Sequence, residues 1–122
     1  MATIFRIQDR SGRGPWRPGF SRNWVEERAD RDLLVPWMQD FPGLVIPRAA
    51  GIGVGCRTLD QLRRWFTASE YLTLRRHQYR AVALDRATVI AESAIQLVFT
   101  RAVPNNFGHR YIDLYGDRHA HA

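Results

Sequence analysis

Lysine is absent from this chain of 122 residues, so all eighteen of its basic side chains are arginine. A guanidinium is a rigid planar fork of donors that matches phosphate or carboxylate and stacks on flat rings, and an ammonium does neither. Cysteine is nearly absent too. Cys56 stands alone, which excludes an intrachain disulfide and points to a reducing cytoplasmic setting. The chain has only four glutamates, Glu26, Glu27, Glu70 and Glu92, which narrows the choice of a catalytic carboxylate. Every long apolar stretch is interrupted by Pro, Gly or Arg, and none approaches the roughly eighteen apolar residues a membrane-spanning helix needs. The opening MATIFRIQDR places charges where a secretory leader needs its apolar run. Neither GxGxxG nor GxxxxGK[ST] occurs, so the GIGVG run at residues 51–55 is not a phosphate-binding fingerprint.

At this length, with 45% hydrophobic residues, the chain can bury one core and not two. A net charge of +6 and an isoelectric point near 10.6 favour an anionic partner. Five arginines (Arg6, Arg10, Arg13, Arg17, Arg22) fall in residues 6–22 beside a single acid, Asp9. A GC-rich genome would replace lysine by arginine everywhere, but it would not gather them in one stretch.

Hydrophobic patterning predicts an α+β fold. Ile4 to Gln8 alternates as a strand with Phe5 and Ile7 on one face and Ile4, Arg6 and Gln8 on the other. The loop SGRGPWRPG follows, too rich in Gly and Pro for regular structure. Ser21 is placed to cap a helix running to about Asp32. Pro36, Pro42 and Pro47 leave room for a helical turn at Trp37 and Met38 and otherwise irregular packing. Ile52 to Arg57 reads as a strand whose glycines admit a close neighbour. Thr58-Leu-Asp-Gln61 and Thr67-Ala-Ser-Glu70 are capping boxes that open two helices, the second running to His77, joined at a corner. Tyr79 to Asp85, Thr88 to Ala91 and Ile95 to Arg101 read as strands, the last with Ile95, Leu97 and Phe99 on one face. The expected organisation is one domain over residues 1–103. A polar tail over 104–122 docks through Tyr111, Ile112, Leu114 and Tyr115 and ends in a mobile segment.

The segments Phe5-Arg6-Ile7, Gly55-Cys56-Arg57-Thr58 and Glu92-Ser93-Ala94-Ile95-Gln96-Leu97-Val98-Phe99, with the order of elements around them, resemble a compact ADP-ribosyltransferase-like domain. That resemblance implies a split β-core with short helices, gripping NAD in a cleft between two small sheets. Arg6 matches the basic residue on the family's first strand, and Thr58 the hydroxyl residue of its middle motif. The family's late-strand acid falls either to Glu92, three residues early for the usual register, or to the place that Gln96 occupies inside the strand. The FRI start, the GRGPWRPG loop and the CRTLDQLRRWF helix also resemble small prophage-encoded proteins.

Transfer from NAD breaks a glycosidic bond through an oxocarbenium-like state, which a nearby carboxylate stabilises. Glu92 is the candidate for that role, with Gln96 the alternative occupant. Arg6 with Arg10, Arg13 or Arg17 would hold the pyrophosphate, and Trp16 or Tyr79 would shelve the nicotinamide. The same residues also allow Glu92 as a loop carboxylate paired with Arg86, and Arg6 as a surface ion pair with Asp9. No metal is expected, since His109, His119 and His121 lack a fixed acid or thiolate, and Cys56 reads as a small buried residue. Two functions remain open. One is an NAD-dependent transferase acting on a host or defence protein. The other is a non-catalytic counter-defence inhibitor of the anti-CRISPR type, which would bind a protein or ribonucleoprotein through its arginine surface. Arg63-Arg64 and Arg75-Arg76 add a basic face that suits solvent or, less often, a nucleic-acid backbone.

Overall fold

The computed structural model describes residues 1–116. They form an α+β fold in which a curled antiparallel sheet carries short helices. Strand β1 (Ala2–Gln8) follows the alternation of its side chains, and both of its faces are covered. Ile7 packs with Trp24, Leu62, Tyr71 and Leu74 on one side. Ile4 packs with Leu84, Leu97 and Phe99 on the other. Two apolar clusters therefore sandwich this strand, which explains why Arg6 and Gln8 end up buried as well.

The curl originates in β3 (Arg80–Glu92), a single long strand where the sequence suggests two. Its first part, from Arg80 to Ala87, pairs with β1, and its second, from Thr88 to Glu92, pairs with β4 (Leu97–Arg101). At the change of partner Arg86 takes φ 62°, a left-handed conformation that an L residue adopts only where its surroundings hold it. Register shifts flank that point, between Ala2 and Ile4 and between Val89 and Ala91, and such irregularities bend a strand and raise its twist. Strand β2 (Gly51–Gly55) pairs with the far side of β4. The order β1-β3-β4-β2 then brings its two edges together at one bridge. The Phe5 amide donates to the Cys56 carbonyl at 2.9 Å, and the Cys56 amide to the Phe5 carbonyl at 2.8 Å.

The glycines of β2 make that approach possible. A Cβ on Gly53 would lie 2.7 Å from Nη1 of Arg6. One on Gly51 would lie 2.5 Å from both Oδ1 of Asn105 and the Val103 carbonyl. The helices begin where the capping boxes place them. Helix α1 (Trp37–Asp40) is a single turn, and α2 (Leu59–Trp65) and α3 (Ala68–Arg76) each carry a complete reciprocal cap, Thr58 with Gln61 and Thr67 with Glu70.

The helix expected from Ser21 to Asp32 is not there. Only 3-10 turns form, at Ser21–Asn23 and Arg31–Leu33, and the Ser21 side chain caps neither. Tertiary bonds hold this segment instead. The Trp24 indole N–H donates to the Pro15 carbonyl at 3.2 Å, and the Glu26 amide donates to the Glu70 carboxylate at 2.9 Å. Ile95 also departs from the expected strand: it sits in the turn before β4 and packs with the Ile7 cluster, away from Leu97 and Phe99. Residues 104–116, expected to open a polar tail, are built into the body. Asn105 is buried, β5 (Arg110–Tyr111) pairs with β3, Leu114 is buried, and the Tyr115 hydroxyl donates to carbonyls of Arg63 and Phe66. The mobile end expected of that tail lies outside the described residues.

Substituting Gly51→Ala forces a methyl against a backbone carbonyl that cannot yield. Urea denaturation is expected to show a loss of about 1–3 kcal/mol, and an unchanged midpoint would mean that β2 does not lie against Val103 and Asn105.

Candidate functional site

Beneath the seam between β1 and β2 lies a cavity of about 580 Å³, within the range of small-ligand sites. Six parts of the chain wall it. Arg6 and Ile7 come from β1, residues 13–17 from the Gly/Pro loop, Leu34, Pro36 and Trp37 from the irregular segment, and residues 53–56 from β2 and its end. Leu62, Trp65 and Phe66 from α2 and its C-terminus complete the apolar wall, and Gln96 adds one amide.

The Gly/Pro loop keeps its shape through Asp9. One carboxylate oxygen accepts from the Ser11 amide at 2.9 Å, the Ser11 hydroxyl at 2.7 Å and the Arg13 amide at 3.0 Å. Burial opposes the charge on Asp9, but these hydrogen bonds prevail and hold its carboxyl below the usual range. Gly12, at φ +90°, lets the chain turn back against Asn105. The loop then presents Trp16, half exposed, edge-on to Trp24 at 4.6 Å and to Trp65 at 6.4 Å. Arg17 is stacked over Phe20 at 4.7 Å and Tyr79 at 5.8 Å, while Arg13 stays exposed.

Arg6 is the unusual group. It is 8% exposed, its guanidinium lies 5.6 Å from the centre of the Phe99 ring, and its Nε and Nη1 find no hydrogen-bond partner among the described residues. The surface ion pair with Asp9 allowed by the sequence is not how Arg6 is held: the residue is buried, and Asp9 serves its own loop. Burial lowers the Arg6 pKa to about 10, the charge of Asp9 opposing the fall, so the group remains cationic at neutral pH. Arg101, buried to 3%, offers the contrast. Its Nε donates to the Asp85 carbonyl at 2.9 Å, its Nη1 to Pro104 at 2.9 Å and its Nη2 to Phe107 at 3.1 Å.

Of the residues singled out in the sequence, Arg6, Arg13, Trp16, Arg17 and Gln96 line the cavity, and Glu92, Thr58 and Tyr79 do not. Glu92 forms a two-point ion pair with Arg57, at 3.0 and 2.7 Å, on the surface. The Arg57 hydrogen bonds hold its carboxyl below the usual range despite a small desolvation effect. Arg86, the partner expected for it, instead lies over the Phe107 ring. The Thr58 hydroxyl accepts from the Gln61 amide as a helix cap. Tyr79 is buried against Phe20, 5.2 Å away and stacked. Glu70 caps α3 as the sequence suggests, and it is also fully buried and paired with Arg31. Among the described residues, no aspartate or glutamate lines the cavity. Leu34, Trp37, Trp65 and Phe66 were not legible as wall residues, since their only sequence signal is apolar character.

Cys56 is inert by position: it is 3% exposed and burial pushes its thiol up to about 12. No metal-binding group of His, Cys, Asp or Glu exists among the described residues, and His119 and His121 lie outside them. No described helix is long and apolar enough to cross a membrane. Comparison with protein-family models, with characterised proteins and with solved structures yields no match to this chain.

Native protein at pH 8 is expected to resist alkylation by iodoacetamide at Cys56 and to react promptly once unfolded in urea. Native labelling at the rate of the unfolded chain would contradict the buried thiol.

Proposed function

We propose that this chain is a ligand-binding protein without transferase chemistry, which takes an anion carrying a flat ring into the Arg6 cavity. One observation carries the reading: a buried guanidinium, two of whose nitrogens have no hydrogen-bond partner, belongs to a residue that lines an apolar, indole-rich cavity. An unpaired buried charge is costly, and a phosphate or carboxylate supplies the missing acceptors with charge-assisted bonds. Trp16, Trp37 and Trp65 offer ring faces or edges, which suits a planar group beside the anion. NAD and ADP-ribose, the ligands implied by the resemblance to ADP-ribosyltransferases, combine those features. The residues present fit the binding half of that activity and not the transfer half, because the cavity lacks a carboxylate to stabilise an oxocarbenium-like state and Glu92 is paired with Arg57.

A second reading rests on a different observation. Leu33 and Met38 are exposed beside the cavity residues Leu34 and Trp37, and Trp16 is half exposed. Such an apolar rim around a cationic floor suits a protein partner that seats an acidic side chain on Arg6, as a counter-defence inhibitor would.

Calorimetry with ADP-ribose and NAD tests the proposal. Wild-type protein is expected to bind, and Arg6→Met to bind about 10- to 100-fold more weakly through loss of charge-assisted bonds. The same variant is expected to unfold at higher urea, by about 1–4 kcal/mol, because an uncompensated buried charge is replaced by an apolar chain of similar length. Glu92→Gln should leave binding unchanged. Nicotinamide release from NAD by the wild type, lost in Glu92→Gln, would overturn the non-catalytic reading, and no binding of either compound would leave the protein partner as the occupant.

A further inference from the structure

We propose that Gln96 selects among the anions that enter the cavity, accepting those whose ring carries a hydrogen-bond donor such as an amino group. The inference rests on the ligand-binding reading above and names the class of ligand more narrowly. Gln96 is buried, 3% exposed, in the turn that leads into β4. Its Nε2 donates to the Val35 carbonyl at 2.9 Å and to Oδ2 of Asp40 at 3.0 Å. A primary amide has two N–H donors, and both are used. The Ser93 hydroxyl donates to the same Asp40 oxygen, which fixes the carboxylate in place.

The orientation of the amide follows from these partners. Turned the other way, Gln96 would set its carbonyl oxygen against a carboxylate and a backbone carbonyl, acceptor against acceptor. Oε1 is therefore the polar atom that Gln96 has left, and Gln96 lines the cavity. Every other polar side chain in the described wall is Arg, Trp or Cys. Among them Gln96 holds the one oxygen acceptor. The described wall thus presents side-chain donors at Arg6 and a single side-chain oxygen acceptor at Gln96, in an otherwise largely apolar lining. A ligand that meets both carries an acceptor anion at one end and an N–H donor on its ring. A site built to hydrogen-bond such a group discriminates against an analogue that lacks it, because the protein acceptor is then left unpaired.

Titration calorimetry with two nucleotides tests this directly. AMP carries a 6-amino group, and purine riboside 5′-monophosphate is the same molecule without it. Wild-type protein is expected to bind AMP about tenfold more tightly than the analogue. In Gln96→Met the preference should collapse while the analogue still binds, and in Asp40→Asn it should shrink, because the amide is then free to turn its Nε2 inward. Equal affinity of wild type for the two nucleotides overturns the inference while leaving the Arg6 reading intact. Failure of both to bind overturns the inference, and it takes the Arg6 reading with it only where ADP-ribose and NAD also fail to bind. An AMP preference that persists in Gln96→Met assigns the discrimination elsewhere and also overturns it. If Gln96→Met does not fold, the wild-type pair and Asp40→Asn decide.

Discussion

An arginine buried without a counter-ion is the constraint on which the rest of this fold turns. The Arg6 side chain lies where the curled sheet closes, and its neighbours are shaped to leave it room. Gly53 and Gly14 have no side chain at the places where a Cβ would come within 2.7 and 2.9 Å of the guanidinium. Strand β2 can be a glycine-alternating strand only because β4 supplies its hydrogen bonds along one whole edge. Glycine weakens a strand through backbone entropy and lost packing, so the neighbouring β4, with Leu97, Val98 and Phe99 fully buried, provides most of the local anchoring. The bend at Arg86 then carries β3 from one partner to the other and brings the seam together.

Local signals in the sequence were sufficient wherever structure is decided by neighbours in the chain. The two capping boxes stand as expected because a Thr hydroxyl and a Gln or Glu three residues on need only each other's backbone amides. The faces of β1 followed from period-two alternation, and the close approach at residues 51–55 followed from glycine itself. The signal failed where tertiary partners compete with local propensity. Residues 21–32 contain good helix formers, yet Trp24 is drawn into the core and Glu26 is bonded to α3, and two 3-10 turns are what remains. Arg86 offered no hint of a left-handed bend, because nothing in its identity favours one.

The candidate site divides along the same line. Arg6, Trp16 and Arg17 were legible because guanidinium and indole groups clustered beside Gly and Pro are unusual by composition alone. Glu92 was misplaced because the register of a late strand places a residue along the sheet but does not say which charge across it will take its side chain. Arg57, on the chain leaving β2, reaches Glu92 in two-point geometry, and thirty-five positions separate the two in sequence. The role of Asp40 was equally hidden. It acts only through Gln96 and Ser93, residues more than fifty positions away.

The weight placed on Arg6 comes from a comparison inside the molecule. Among the described residues, three side chains charged at neutral pH are buried: Arg6, Glu70 and Arg101. Glu70 is fully buried and accepts from the amides of Glu26 and Thr67 and from the guanidinium of Arg31. Arg101 donates from all three of its nitrogens to backbone carbonyls, and in doing so pins the segment from Pro104 to Phe107 against the sheet. Both follow the rule that a buried charge is kept only with its hydrogen bonds complete. Arg6 breaks that rule at Nε and Nη1, and of these three residues it is the one that lines the cavity. Arg17, Arg28 and Arg31 also hold buried nitrogens without partners, but each of these residues keeps part of its surface exposed, and Arg28 and Arg31 are paired with Asp30 and Glu70; Arg6 is buried as a whole residue and has no such pair. Under the proposed reading, an anion in the cavity would complete the partners of this guanidinium where the residue lines the wall.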